Sequence, residues 1–110
     1  MERKVLGDIG EEMGALLLEA EGYEILERKY RCRLGEADLI CAKGGSIYFV
    51  EVKTRSGYSM GLPVEAVDRR KRERIRRVAQ FYLQSRKIRS ANVRFRVIEI
   101  VVRQTDDDFM

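Results

Sequence analysis

The sequence predicts a one-domain α/β protein with elements in the order α-β-β-β-α-β, a mixed sheet flanked by helices. Three observations predict it. Two segments repeat apolar residues at helical spacing, four others are short β-rich runs, and a Gly-Gly pair joins two of those runs at hairpin distance. With 110 residues, 45% of them hydrophobic, the chain is long enough for one core and too short for two.

DIGEEMGALLLEAE (8–21) reads as the first helix, with Gly22 as its stop. Ile9, Met13, Leu16, Leu17 and Ala20 form one apolar face, and Asp8, Glu12 and Glu19 form a narrow polar stripe. Glu11 projects beside Gly14, Ala15 and Leu18, a second apolar side, so the helix is expected to be largely enclosed. YEILERKYRC (23–32) reads as a strand and Arg33-Leu34-Gly35 as a turn. EADLICAK (36–43) and SIYFVEV (46–52) are two more strands around Gly44-Gly45. TRSGYSMGLP (54–63) has two glycines and a proline and reads as a loop. Residues 64–87 form the second helix and VRFRVIEIVV (93–102) the last strand. The domain spans 1–105, and 106–110 make an acidic, frayed tail.

Composition removes several chemistries. The chain has no histidine, which excludes Ser-His and Cys-His catalysis. Cys32 and Cys41 alone cannot complete a zinc site, and both fall in strands where a small buried hydrophobe is the commoner role. No apolar run approaches the ~18 residues of a membrane span, and MERKVLGDIG turns acidic too early for an export signal. A cytoplasmic protein without a membrane partner is therefore expected. The net charge is +4, or +7 once the three aspartates of the tail are set aside, and such a basic body suits a polyanionic partner.

The sharpest signal is SIYFVEVKTR (46–55), an apolar strand that runs into Glu51 and Lys53. A two-residue Gly44-Gly45 turn pairs Lys43 with Ser46. Asp38 is then expected opposite Glu51, and Glu36 opposite Lys53, all on one face. Like charges directly opposed repel unless one holds a proton or a cation joins them. A hard divalent cation such as Mg²⁺ takes oxygen ligands from one or two carboxylates. Lys53 on the same face could neutralise the patch or orient a water. Metal, lysine and a basic body together point to phosphodiester hydrolysis. The plainer alternative is a solvated strand end, with Lys53 in an ordinary cross-strand pair with Glu36.

Two other residues bear on this choice. Glu11 is expected to face the cluster, the alternative being a first-turn acid that favours the helix dipole. In the second helix Val64, Val67, Ile75, Val78 and Tyr82 keep helical spacing, and Lys71 fills the slot between Val67 and Ile75. Lys71 is thus expected to point towards the sheet. Arg69, Arg70, Arg72, Arg74, Arg76 and Arg77 cover the other sides, with Glu73 the one acid among them. That surface fits phosphate contacts, or else is a solvated helix face.

GEEMGALLLEAEGY (10–23), GEADLI (35–40), FVEVKTR (49–55), GLPVEAVDRRKRERI (61–75) and VRFRVIEI (93–100) follow one another over most of residues 7–102. In this ordered set the chain resembles the bacterial YraN-like family, which is similar to archaeal Holliday-junction resolvases. The resemblance implies the restriction-endonuclease-like fold of the PD-(D/E)XK nuclease superfamily. It also implies that Asp38 and Glu51 bind Mg²⁺ or Mn²⁺, that Glu11 is the first-helix acid of the metal site, and that Lys53 positions the attacking water. Glu36 is supporting, Lys71 falls near a second-helix polar residue of the resolvase-like branch, and Arg55 belongs to the extended motif. Arg96 stands where the family commonly has aspartate, Lys29 where asparagine is frequent, and Ala37 where isoleucine is usual.

The expected function is a metal-dependent nuclease acting on DNA, branched or single-stranded DNA included. Arg55, Arg69, Arg70, Lys71, Arg72 and Arg74 are the expected nucleic-acid contacts. One rival is a non-catalytic nucleic-acid-binding module on a nuclease fold. The other is a protein-interaction scaffold in which Tyr58 and Met60 make a homodimer or partner contact.

Overall fold

The computed structural model describes residues 2–56 and 69–108. Helix α1 (Arg3–Ala20) leads into strands β1 (Glu24–Cys32), β2 (Gly35–Lys43) and β3 (Ser46–Ser56), followed by α2 (Arg69–Ser85) and β4 (Asn92–Val102). The sheet order is β1-β2-β3-β4, antiparallel except for the parallel pair β3 and β4. This is the α-β-β-β-α-β mixed sheet expected of the restriction-endonuclease-like core. Residues 103–108 follow β4 without helix or strand. Among the described residues no helix is long and apolar enough to cross a membrane.

The Gly44-Gly45 turn forms as expected. Both glycines take positive φ, 56° and 81°, which a primed hairpin turn requires. Lys43 pairs with Ser46, and the register runs unbroken to Leu39 opposite Val50. β3 outlasts its sequence pattern. The loop expected from Thr54 begins later, because Lys53 to Ser56 continue beside Glu99 to Val102 of β4. The remainder of that loop, with Tyr58 and Met60, lies outside the described residues, as do Val64 and Val67.

Each face of the sheet carries one helix. Ile40, Ile47, Phe49 and Ala37 pack with Ala79 and Tyr82 of α2. Leu39, Cys41 and Val50 pack with Ala15 and Leu18 of α1. Phe49, Leu39, Ile40, Val50 and Leu18 are almost fully buried, so the strongest hydrophobic contribution comes from the two central strands. Cys41 is buried as expected, and Cys32 is half-buried.

Helix α1 corrects the sequence reading in two ways. It starts at Arg3, five residues early, so Asp8, Glu11 and Glu12 do not sit in its first turn and the dipole explanation of Glu11 fails. Its packed side is also the opposite of the expected one. Gly10, Gly14, Ala15 and Leu18 are buried, whereas Ile9, Met13, Leu16 and Leu17 are exposed. Backbone proximity explains the choice. A Cβ on Gly10 would collide with Thr54 of β3, and one on Gly14 would lie 3.2 Å from Val52 Cγ2. Small residues let the helix approach the sheet, and approach brings Glu11 to it. The polar stripe of α1 meets β1: Arg28 pairs with Glu12 at 2.7 Å and Glu19 at 3.9 Å. Exposed pairs of this kind add little stability.

Candidate active site

Strand β1 breaks its own alternation at Lys29, whose φ is +49°. A non-glycine residue in this region is uncommon and marks a local constraint. Arg28 pairs with acids of α1, yet Tyr30, two residues on, packs in the α2 cluster. The partner strand flips at the same level. Leu39 faces α1, whereas Ala37 belongs to the α2 cluster. Asp38 sits between them, at the switch.

That placement makes Asp38 accessible from both sides of the sheet. It lines a cavity of about 530 Å³ together with Glu51, Lys71 and Arg74. It also lines a smaller one, of about 100 Å³, with Glu11 and Lys29. Glu11 therefore does face Asp38, as its helical phase predicts. Lys29 Nζ holds it, donating to Glu11 Oε1 at 2.9 Å and to Asp8 Oδ1 at 2.7 Å. These carboxylates raise the proton affinity of Lys29, and Lys29 in turn draws that of Asp8 down.

The expected cross-strand pairs need correction. The β2–β3 ladder ends at Leu39 and Val50, so Asp38 is not paired with Glu51 nor Glu36 with Lys53. In place of the next ladder bond, the Val52 N–H donates to Asp38 Oδ2 at 2.7 Å. Glu36 instead lies opposite Arg31 of β1, with its side chain mostly exposed and 3.5 Å from that guanidinium. The physical reason is local: Asp38, level with the irregular Lys29 of β1, takes the Val52 N–H with its side chain in place of a backbone carbonyl.

Glu51 and Lys53 share the α2 face, as parity requires. Lys71 Nζ donates to Glu51 Oε1 at 2.6 Å, and Lys53 Nζ lies 3.7 Å from the same oxygen. Lys71 thus points to the sheet, as its slot in the helix predicts. Glu51 Oε2 is buried and accepts no hydrogen bond from the described residues. An anionic oxygen in that position is costly without a cation or donor. Arg69, Arg70, Arg72, Arg74, Arg76 and Arg77 are all exposed on α2. Arg55 is on β3, 3.6 Å from Glu99 of β4.

Burial pushes the Asp38 carboxyl above its ordinary value. The Val52 N–H opposes that rise, and Glu11, Glu51 and Glu36 add to it. The folded state therefore binds this proton more readily than the unfolded chain does. Stability falls as pH rises through the interval between the unfolded and folded values, and ionised Asp38 opposes folding at neutral pH. Asp38→Asn keeps an acceptor for Val52 and removes the charge. We expect it to raise the melting midpoint at neutral pH without added metal. The gain should vanish below the ordinary carboxylate range, where Asp38 is protonated in both states. Equal neutral-pH midpoints would show that burial of this charge is not a cost.

Among the described residues no group of three or more His, Cys, Asp or Glu side chains is arranged to hold a metal ion. The donors that fit one are fewer: Asp38 and Glu51, lining a common cavity, the latter with an unpartnered buried oxygen. Two carboxylates with water and substrate oxygens suffice for Mg²⁺. Glu11 is one step removed, facing Asp38 through the smaller cavity. Lys29 is the site residue that sequence reasoning missed. Its signal was the run Glu27-Arg28-Lys29, three charges where strand alternation allows no such sequence on one face.

Comparison with known proteins finds one family over most of the chain. A model of the uncharacterised protein family UPF0102 matches residues 10–100. The chain is similar to a UPF0102 protein of Moorella thermoacetica, 50% identical over 100 residues, covering 91% of this chain and 83% of the relative. It is 43% identical over 100 residues to one of Caldicellulosiruptor saccharolyticus, covering 91% and 85%. A third, of Clostridium acetobutylicum, is 42% identical over 106 residues, covering 96% and 87%.

Proposed function

We propose that this chain, which belongs to the uncharacterised protein family UPF0102, is a metal-dependent nuclease that hydrolyses phosphodiester bonds of DNA. The observation that carries the reading is Glu51. Its buried Oε2 has no hydrogen-bond partner among the described residues, it shares a cavity with Asp38, and two lysines approach its other oxygen.

Asp38 and Glu51 would hold Mg²⁺ or Mn²⁺. When bound, the ion supplies Lewis-acid stabilisation of the charge that develops on the phosphate. Lys53, beside Glu51 and partly exposed, orients the attacking water and holds its proton-bearing side towards the carboxylates. Glu11 adds negative potential across Asp38 and is itself restrained by Lys29. The outer arginines of α2, Arg69, Arg70, Arg72 and Arg74, bind phosphates on either side of the scissile bond and set its register. Arg74 also lines the cavity itself. Arg55, paired with Glu99 on the sheet, reaches the backbone at the end of β3.

Lys71 has a separate part in this scheme. Its ammonium supplies a positive charge to Glu51 at 2.6 Å, where a metal ligand must instead be free to donate. Metal and ammonium therefore compete for one carboxylate. Charge-assisted hydrogen bonds contribute about 1.5–3 kcal/mol. Lys71→Met should accordingly tighten Mn²⁺ binding by about tenfold to a hundredfold in calorimetric titration, while Lys53→Met, starting from 3.7 Å, should change it less. Unchanged or weaker binding in Lys71→Met would remove the competition.

The reading is tested with purified protein, Mg²⁺ or Mn²⁺, and a panel of duplex, single-stranded and branched DNA with RNA beside it. Cleavage that disappears in Lys53→Ala supports it. Salt-dependent binding with no cleavage, indifferent to Asp38 and Glu51, would instead leave a non-catalytic nucleic-acid-binding module.

A further inference from the structure

The six arginines of α2 do not form one surface. At about 100° per residue, Arg70, Arg74 and Arg77 fall within roughly 60° of one another, on the flank that faces the turn between β1 and β2. The turn meets that flank directly, with the Arg33 guanidinium 5.7 Å from the ring centre of Phe81. Gly35 permits the approach, since a Cβ at that position would stand 3.0 Å from Val78 Cγ2 and 3.3 Å from Arg74 Cγ. Arg72 and Arg76 project to the opposite flank and line a different cavity with Arg94.

Between the turn and this flank lies a cleft of about 570 Å³, with Leu34 on one wall and Arg70, Arg74 and Arg77 on the other. Arg74 also lines the Asp38–Glu51 cavity, so cleft and cavity adjoin along its side chain. The charge of the cleft is uncompensated. Arg70 and Arg74 are four residues apart and Arg74 and Arg77 three, spacings at which like charges destabilise a helix. None of the three is in an ion pair among the described residues. Glu73, the acid among the lining residues, pairs instead with Arg76 at 3.5 Å. A flank held in this state matches a ligand whose negative charges repeat along its length.

We propose that this cleft carries one strand of the nucleic acid away from the Asp38–Glu51 cavity, with Arg70, Arg74 and Arg77 on its phosphates. The proposal rests on the nuclease reading above and adds a path to it: the strand leaves the cavity between α2 and the β1–β2 turn, and Arg76 takes no part. The three arginines span about 10 Å of helix, on the order of three nucleotides of a strand at ~3.4 Å each. Contacts of this kind hold the backbone in position and carry no sequence information.

Fluorescence anisotropy of a labelled single strand and a labelled duplex over a salt series tests this, with a chelator present so that no cleavage enters. Arg77→Gln should weaken binding roughly five- to tenfold at ~0.1 M salt and lower the slope of log affinity against log salt by about 0.7–0.9, the loss of one phosphate contact. Arg76→Gln makes the same charge change one residue away and should bind as the wild type does, while Arg77→Lys should keep most of the affinity. Circular dichroism checks that the variants fold, and Arg74→Gln serves if Arg77→Gln does not. Equal losses in Arg77→Gln and Arg76→Gln would leave only a diffuse positive field and overturn the cleft. A wild-type protein that binds neither probe at low salt overturns it as well. Binding with the expected contrast but no cleavage under Mg²⁺ or Mn²⁺ upholds the cleft while the nuclease reading fails, and cleavage without that contrast does the reverse.

Discussion

Glu51→Ala abolishes cleavage in assays where the wild-type protein cuts DNA, a loss on the order of 10³-fold or more. The magnitude follows from the residue's position. Outer-shell partners of metal ligands cost 10–100-fold when removed, and a direct ligand costs more. A 10³-fold loss is about 4 kcal/mol of transition-state stabilisation. The variant should nevertheless fold, because Glu51 lies near the end of the apolar part of β3, and the nearby core contacts are those of Phe49 and Val50. Its folded state is checked by circular dichroism, and Glu51→Gln, which keeps the side-chain volume, controls for packing. Cleavage that persists in a folded Glu51→Ala protein would point to a contaminating enzyme and remove Glu51 from the chemistry.

Leu18→Ala destabilises the protein by about 2–5 kcal/mol, whereas Leu16→Ala, measured on dilute protein, changes stability by less than about 0.5 kcal/mol. Leu18 is fully buried against Leu39, Cys41 and Val50. Its truncation removes transfer energy and leaves a cavity between α1 and the sheet. Leu16 is 57% exposed on the other side of the helix. Urea unfolding of the two variants measures the contrast directly. Equal losses would mean that α1 packs by its Ile9–Leu16 side after all, and Glu11 would then turn away from Asp38.

The error over α1 has a simple physical origin. Periodicity weighs large apolar residues, and the largest of them lie on the Ile9–Leu16 side. Packing instead selected the side where Gly10 and Gly14 allow the backbone to come close to Val52 and Thr54. Small residues carry little hydrophobic weight in a pattern, yet they decide which face can approach a sheet. Glu11 was nonetheless placed well, because its neighbours Gly14, Ala15 and Leu18 are the buried ones.

The hairpin shows both what is legible and where legibility stops. Gly44-Gly45 specifies its turn through local backbone preference, and the register followed as far as Leu39 and Val50. That ladder ends level with Lys29 of the neighbouring strand, whose φ is positive, where the Asp38 side chain takes the Val52 N–H. No local pattern within β2 or β3 contains that information. Glu36 faces Arg31, and the carboxylate pair is made by a shared cavity rather than by directly opposed residues. Similarly, the run from Lys53 to Ser56 looks like a loop, yet parallel pairing with β4 extends it as a strand.

Arg96 illustrates a role that only the fold reveals. Its guanidinium lies 5.0 Å from the ring centre of Tyr23 and 4.7 Å from that of Tyr48. This cation–π arrangement joins β4 to β3 and to the segment after α1. It sits with the α1-side residues, away from the Glu51 face.

The central claim is that Asp38 and Glu51 form a divalent-cation site, and Mn²⁺ titration followed by thermal melting tests it most directly. A ligand that binds only the folded state raises the midpoint by mass action. The account predicts a rise for the wild-type protein that saturates with Mn²⁺, and no rise for Glu51→Ala. A wild-type midpoint unmoved by Mn²⁺, or an equal rise in both proteins, would contradict it.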